Sequence, residues 1–221
     1  MKRLTLLASS LIGLIAPFLM SQTVFAHAYD EFEVSTYISL ADDAIHIEVE
    51  LESGYLIGPD VVTMIDTNGD QTLSEEEVLD YAYEVMSSLK LEANSVDIPL
   101  ELVTFEYPSY SSFAEGMHGI ILNITASLPE TVPGDYALYF ENTYAIEGVT
   151  NEYYVNGFVD TDAKGYFDII DQSRDWDQQT ISIAYSILTP LETSSTPSLV
   201  EQWLPRIAQA FVIASQYIPL S

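Results

Sequence analysis

The chain has 221 residues, no cysteine, and 34 Asp and Glu against 6 Lys and Arg. These numbers exclude disulfide staples, thiolate metal sites and cysteine nucleophiles. They also exclude nucleic acid as a partner, because neutralising phosphates needs clustered Lys and Arg. With 48% hydrophobic and 12% aromatic residues, the acidity reads as a solvated coat suited to saline surroundings, not as disorder.

The elements follow in chain order. Residues 1–26 have Lys2 and Arg3, then an apolar run, then Val24-Phe25-Ala26, the pattern of a cleaved signal peptide. The mature protein is expected to start at His27, periplasmic or secreted. Phe32, Val34, Thr36, Ile38 and Leu40 then alternate with polar residues. So do Ile45, Ile47, Val49 and Leu51, and Ala41–Ala44 between the two runs reads as a hairpin connection. Pro59–Ile65 predicts a short helix with Pro59 at its first position. From Glu75 to Leu91 the apolar residues Val78, Ala82, Val85 and Leu89 recur at helical spacing, with Glu75, Glu76 and Glu77 in the first turn. Further period-two runs lie at Ile120–Ala126, Tyr136–Phe140 and Ile181–Ile187, with weaker ones at Ile98–Tyr107 and Glu152–Val159. Thr189–Ser198 is a linker by composition, and Leu199–Ser221 predicts an amphipathic helix that docks on the domain or lies on a membrane. The expected fold is α+β. It is a mainly antiparallel, sandwich-like β domain over 27–188, with a helix–loop–helix inserted at about 57–91 and a C-terminal amphipathic helix.

Asp66–Glu77, DTNGDQTLSEEE, lies between the two predicted helices. Calcium takes six to eight oxygen ligands, and a twelve-residue loop supplies them from alternate positions. Asp66, Asn68 and Asp70 hold positions one, three and five. Thr72 offers its carbonyl at seven, Ser74 stands at nine, and Glu77 at twelve is placed for bidentate binding. Leu73 at position eight is the apolar residue that ties such a loop to a neighbouring β-segment. Gln71 replaces the glycine of position six, where φ is positive and a side chain costs about 1–2 kcal/mol. The expected ligand is Ca2+, with affinity lowered on the order of five- to thirty-fold at about 1.4 kcal/mol per tenfold. Extracellular modules work at about 10⁻⁴–10⁻³ M, so such a loop still fills outside the cell. The competing reading is a polar loop in which Asp70 and Ser74 only cap the helix. A second stretch, Asp160–Asp171, imitates the pattern, but Lys164 puts a cation at a ligand position and a sheet-edge turn is the better reading.

Three histidines remain. His27, at the expected mature N-terminus, has an amine and a ring nitrogen able to chelate copper or nickel with help from His46 or His118. That makes a transition-metal carrier or sensor the alternative function. No nucleophile, phosphate-loop or dinucleotide motif is present. An enzyme acting on an extracellular polymer is a further alternative, resting only on 15 tyrosines.

The histidine after Ala26, the text Ile65-Asp66-Thr67-Asn68-Gly69-Asp70-Gln71, the pair Leu89 and Leu91, Ile98-Pro99-Leu100 and the aromatic segment Tyr136–Phe158 occur in a telling order. That order resembles the extracytoplasmic N-terminal domain of bacterial membrane proteins related to nickel/cobalt permeases, over most of Ala28–Leu188. Leu199–Ser221 stands where that family enters its first membrane span, so no transport activity is carried over. The resemblance implies a calcium-binding accessory or sensing domain, released from its permease, whose partner is a membrane protein or another cell-surface component.

Overall fold

The computed structural model describes residues 29–189. The expected signal segment, His27, the linker beyond Thr189 and Leu199–Ser221 lie outside them. β1 (Glu31–Leu40) and β2 (Ala44–Ser53) form the expected hairpin, closed by the Ala41 N–H on the Ala44 carbonyl at 3.0 Å. Their alternation sends Phe32, Val34, Ile38, Ile45, Ile47, Val49 and Leu51 inward, all buried. α1 (Gly58–Ile65) and α2 (Glu75–Met86) follow, then β3 (Leu89–Ala93), β4 (Val96–Asp97), β5 (Glu101–Glu106) and α3 (Tyr110–Ala114). The chain ends its described part with β6 (Ile120–Ser127), β7 (Gly134–Asn142), β8 (Thr150–Val159), a 3₁₀ turn at Thr161–Ala163, β9 (Phe167–Arg174) and β10 (Thr180–Ile187).

Two five-stranded sheets result, in the orders β5-β6-β2-β1-β8 and β4-β3-β7-β10-β9. The pairings are antiparallel except that β1 runs parallel to β8. Inner residues of both sheets and of α1 and α2 form one core. The fold is therefore α+β with a two-sheet, sandwich-like body, as the alternation predicts. At one side the edges of the sheets meet through side chains. Gln172 of β9 bonds the Gly157 N–H and carbonyl at 3.2 and 2.9 Å, and Arg174 Nε donates to the Val155 carbonyl. These contacts satisfy edge groups of β8 that would otherwise invite another strand.

Several boundaries differ from the sequence reading. The second helix stops at Met86, short of Leu91. Ser88 N–H bonds the Val85 carbonyl three residues back, Ser87 Oγ donates to the Glu84 carbonyl, and β3 then alternates Leu91 and Ala93 inward against Lys90 and Glu92. The Ile98–Tyr107 candidate shortens to β5. α3 had no apolar period to announce it. Its start is set by Ser109, whose hydroxyl accepts the Ser112 N–H. Asp160–Asp171 divides into the 3₁₀ turn and the first half of edge strand β9.

The insertion is well tied down. α1 buries Val61, Val62 and Ile65, and α2 buries Val78, Tyr81, Ala82 and Val85. Tyr144 donates to the Tyr81 hydroxyl at 2.9 Å, and its ring packs edge-on against Tyr81 and against Phe32 of β1. α1 lies so close to α3 that a Cβ on Gly58 would sit 2.4 Å from the Ala114 carbonyl oxygen.

Candidate metal centre

The loop runs from the C-cap of α1 to the N-cap of α2, and its side chains fold onto its own backbone. Asp66 closes α1 with its N–H on the Val62 carbonyl. Its Oδ1 accepts the N–H groups of Gly69 and Asp70 at 2.9 and 3.2 Å, and its Oδ2 accepts that of Gln71 at 2.9 Å. Asn68 Oδ1 accepts the Asp70 N–H, and Asp70 Oδ1 accepts the Thr72 N–H, each at 2.8 Å. The chain is thereby curled around the alternating positions one, three and five. The positive φ of Gly69 (72°) and Gln71 (62°) completes the curl.

At the far end Ser74 and Glu77 form a capping box. Ser74 Oγ accepts the Glu77 N–H at 3.3 Å, and Glu77 Oε2 accepts the Ser74 N–H at 3.0 Å and its hydroxyl at 2.7 Å. Glu77 Oε1 also accepts the Asn68 N–H and the Thr67 hydroxyl, both at 3.2 Å, so position twelve is stitched to positions two and three. These donors, the Ser74 hydroxyl first, hold the Glu77 carboxyl down at about 2. Leu73 points into the core and is 6% exposed.

One observation separates this loop from the acidic background. Among the described residues the only buried carboxylates are Asp66, 5% exposed, and Glu77, 7% exposed. They are loop positions one and twelve. Asn68, Asp70 and Thr72 are exposed, and Ser74 is half-buried. The donor set is all oxygen, with carboxylates at Asp66, Asp70 and Glu77, an amide at Asn68, a carbonyl at Thr72 and a hydroxyl at Ser74. That chemistry fits a hard cation of calcium's size. As placed, these carboxylates are engaged by loop N–H and O–H groups. Among the described residues no three His, Asp or Glu side chains stand together as a ready-made metal cage. A cation at this loop would compete with these N–H and O–H groups for the Glu77 carboxylate. Asp70 does not cap α2; Ser74 does.

The two described histidines do not converge. His46 pairs with Thr125 near the start of β2, and its Nε2 lies 3.6 Å from Asp43 Oδ1. His118 lies beside the opposite end of the same strand, with Nδ1 2.8 Å from Ser112 Oγ, in a cavity of about 470 Å³ walled by Glu31, Glu33, Glu52, Glu115 and Glu152. Six strand residues from His46 to Glu52 span about 20 Å. His27 is outside the described residues. Sequence reasoning did not single out the row Glu52, Glu33, Glu152, which the register sets side by side on β2, β1 and β8. The signal was the shared outward parity of the three residues, but it needed the parallel β1–β8 pairing to be read. In Asp160–Asp171, Asp160 Oδ1 accepts the Asp162 N–H at 3.1 Å and Lys164 follows the turn, while Phe167 is buried as the first residue of β9. No protein-family model matches the chain, and no curated protein matches it.

Proposed function

We propose that this chain is an extracytoplasmic calcium-binding accessory or sensor domain, with Asp66, Asn68, Asp70, Thr72, Ser74 and Glu77 as the ligands. The observation that carries the reading is the burial of Asp66 and Glu77 alone among the described carboxylates. Burying a carboxylate is costly unless it is compensated. Here both are compensated by loop N–H and O–H groups, and both stand at the first and last ligand positions of the calcium-loop pattern. The ion would neutralise the loop, join the end of α1 to the start of α2 and stabilise the folded chain by mass action. A membrane or cell-surface protein as partner follows from the family resemblance of the sequence and belongs to the same proposal.

Glu77→Gln distinguishes a calcium ligand from a helix cap. Glutamine at the third helical position still serves a capping box, but it lacks the charge and the second oxygen that calcium needs. The purified chain is expected to bind calcium with a Kd in the range of about 10⁻⁴–10⁻³ M by calorimetry and to melt higher in calcium than in chelator. Glu77→Gln is expected to stay folded and weaken binding at least about tenfold. An undetectable calcium heat at about 10 mM, or a Glu77→Gln chain with unchanged affinity, overturns the proposal.

A further inference from the structure

The outward face of the first sheet carries a groove lined by none of the loop residues. The register builds it from two adjacent cross-strand rows. Ser39, His46 and Thr125 align across β1, β2 and β6, and Tyr37, Glu48 and Asn123 form the next row. A cavity of about 250 Å³ opens over these side chains, and Asp160 also lines it. Beside it stands an aromatic wall on β8. Phe158 is 46% exposed and its ring lies 6.3 Å from that of Tyr37, while Tyr154, four residues earlier and on the same face, is 39% exposed.

The chemistry of the groove narrows its ligand. The Ser39 hydroxyl and the Asn123 amide both donate and accept, Glu48 and Asp160 accept, and His46 does either according to tautomer, while the Thr125 side chain is buried and its hydroxyl donates to the Ile45 carbonyl. No Lys or Arg lines the groove, and the chain carries a formal charge of −28. Anions are therefore repelled from it. The exposed rings favour an apolar face laid flat against them. A ligand that combines many hydroxyls, no negative charge and an apolar ring face is a pyranose sugar. A basic peptide would pair with Glu48 and Asp160 but would leave the hydroxyl and amide row without a purpose. We propose that this groove binds a neutral oligosaccharide, with one ring against Tyr37 and Phe158 and its hydroxyls on Glu48, Asn123 and His46. This assignment is independent of calcium.

The test is calorimetric titration of the purified chain with cellohexaose, xylohexaose, mannohexaose, maltohexaose and chitohexaose, and with hexalysine as the cationic probe, at about 0.5 M NaCl to screen surface charge. At least one neutral hexasaccharide is expected to bind with a Kd below about 1 mM. Phe158→Ala and Asn123→Ala are each expected to weaken it about tenfold or more, at unchanged melting temperature, and Tyr37→Phe, which keeps the ring, by less than about threefold. Tyr83→Ala, which removes an exposed ring on α2, is the control and should leave affinity unchanged. Failure of all five saccharides to bind the folded chain overturns the proposal. So does binding that Phe158→Ala and Asn123→Ala both leave intact, and so does binding of hexalysine alone, which would assign the face to a cationic partner.

Discussion

At the scale of single residues, Gln71 decides how the loop is to be read. From the sequence its side chain at a glycine position predicts weakened calcium affinity. The structure shows where that cost sits. Gln71 stands at φ 62° with its N–H on Asp66 Oδ2. The left-handed strain, about 1–2 kcal/mol for a residue with a side chain, is part of the folded loop. A loop that keeps this φ without calcium carries the strain in folding, and the strain then largely cancels between the free and filled loops. Gln71→Gly is expected to stabilise the calcium-free chain by about 1 kcal/mol, reduced by the greater freedom of glycine in the unfolded chain. Its effect on calcium affinity is expected to stay below about threefold. Urea unfolding in chelator and calorimetry on the same variant separate the two. A variant that binds calcium about tenfold tighter with unchanged stability would return the strain to the binding step.

At the scale of elements, the helix–loop–helix is held to the sheets at a few points, and Leu73 is the one the loop itself supplies. It is buried in the common core between the exposed Thr72 and the half-buried Ser74. Leu73→Ala is expected to cost about 2–5 kcal/mol in urea unfolding, the range for a buried leucine whose cavity cannot fully collapse. The same truncation at the half-buried Leu79 of α2 should cost clearly less. The helices and the loop were legible because their signals are local: Pro59 at a helix start, Ser74 followed by Glu77, and apolar residues one helical turn apart. The strands of the two hairpin-like runs were legible for the same reason. β3, β9 and α3 were not. β3 is five residues long and continues the helical spacing through Leu89, and β9 is an edge strand with most of its residues outside the core. α3 is one turn whose place is set by distant contacts, with Phe113 buried and its carbonyl taking the Ser53 hydroxyl. The groove around His46 was illegible because it depends on register between strands about 80 residues apart in sequence, such as β2 and β6.

At the scale of the whole molecule, the acidic coat is under strain in one place, and that strain has a direction in pH. Glu52, Glu33 and Glu152 stand directly opposite one another across β2, β1 and β8, an arrangement that destabilises a sheet. Nearby, burial and then the charges of Glu152, Asp30 and Glu33 push the Glu31 carboxyl above its ordinary 4.5. Burial and then Glu52, Glu48 and Glu33 do the same to Glu50. A carboxyl raised in the folded state contributes stability that is complete below about 4.5 and is lost as pH rises through its folded value. Glu77 has the opposite sign. Held down at about 2 by its hydrogen bonds, it contributes stability that is present above 4.5 and is lost as pH falls toward 2. Together these shifts place the stability maximum near pH 4.5–5 instead of neutrality. In thermal melts at low ionic strength without calcium, the midpoint is expected to rise from pH 7 to about pH 5 and to fall again below about pH 4. About 0.5 M NaCl should raise the pH 7 midpoint more than the pH 5 one, because screening relieves the same repulsion that protonation removes. A midpoint highest at pH 7 and indifferent to salt would mean that the carboxylate rows carry no strain. The fall below pH 4 should persist in salt, because the contacts of Glu77 are direct hydrogen bonds and not long-range repulsion.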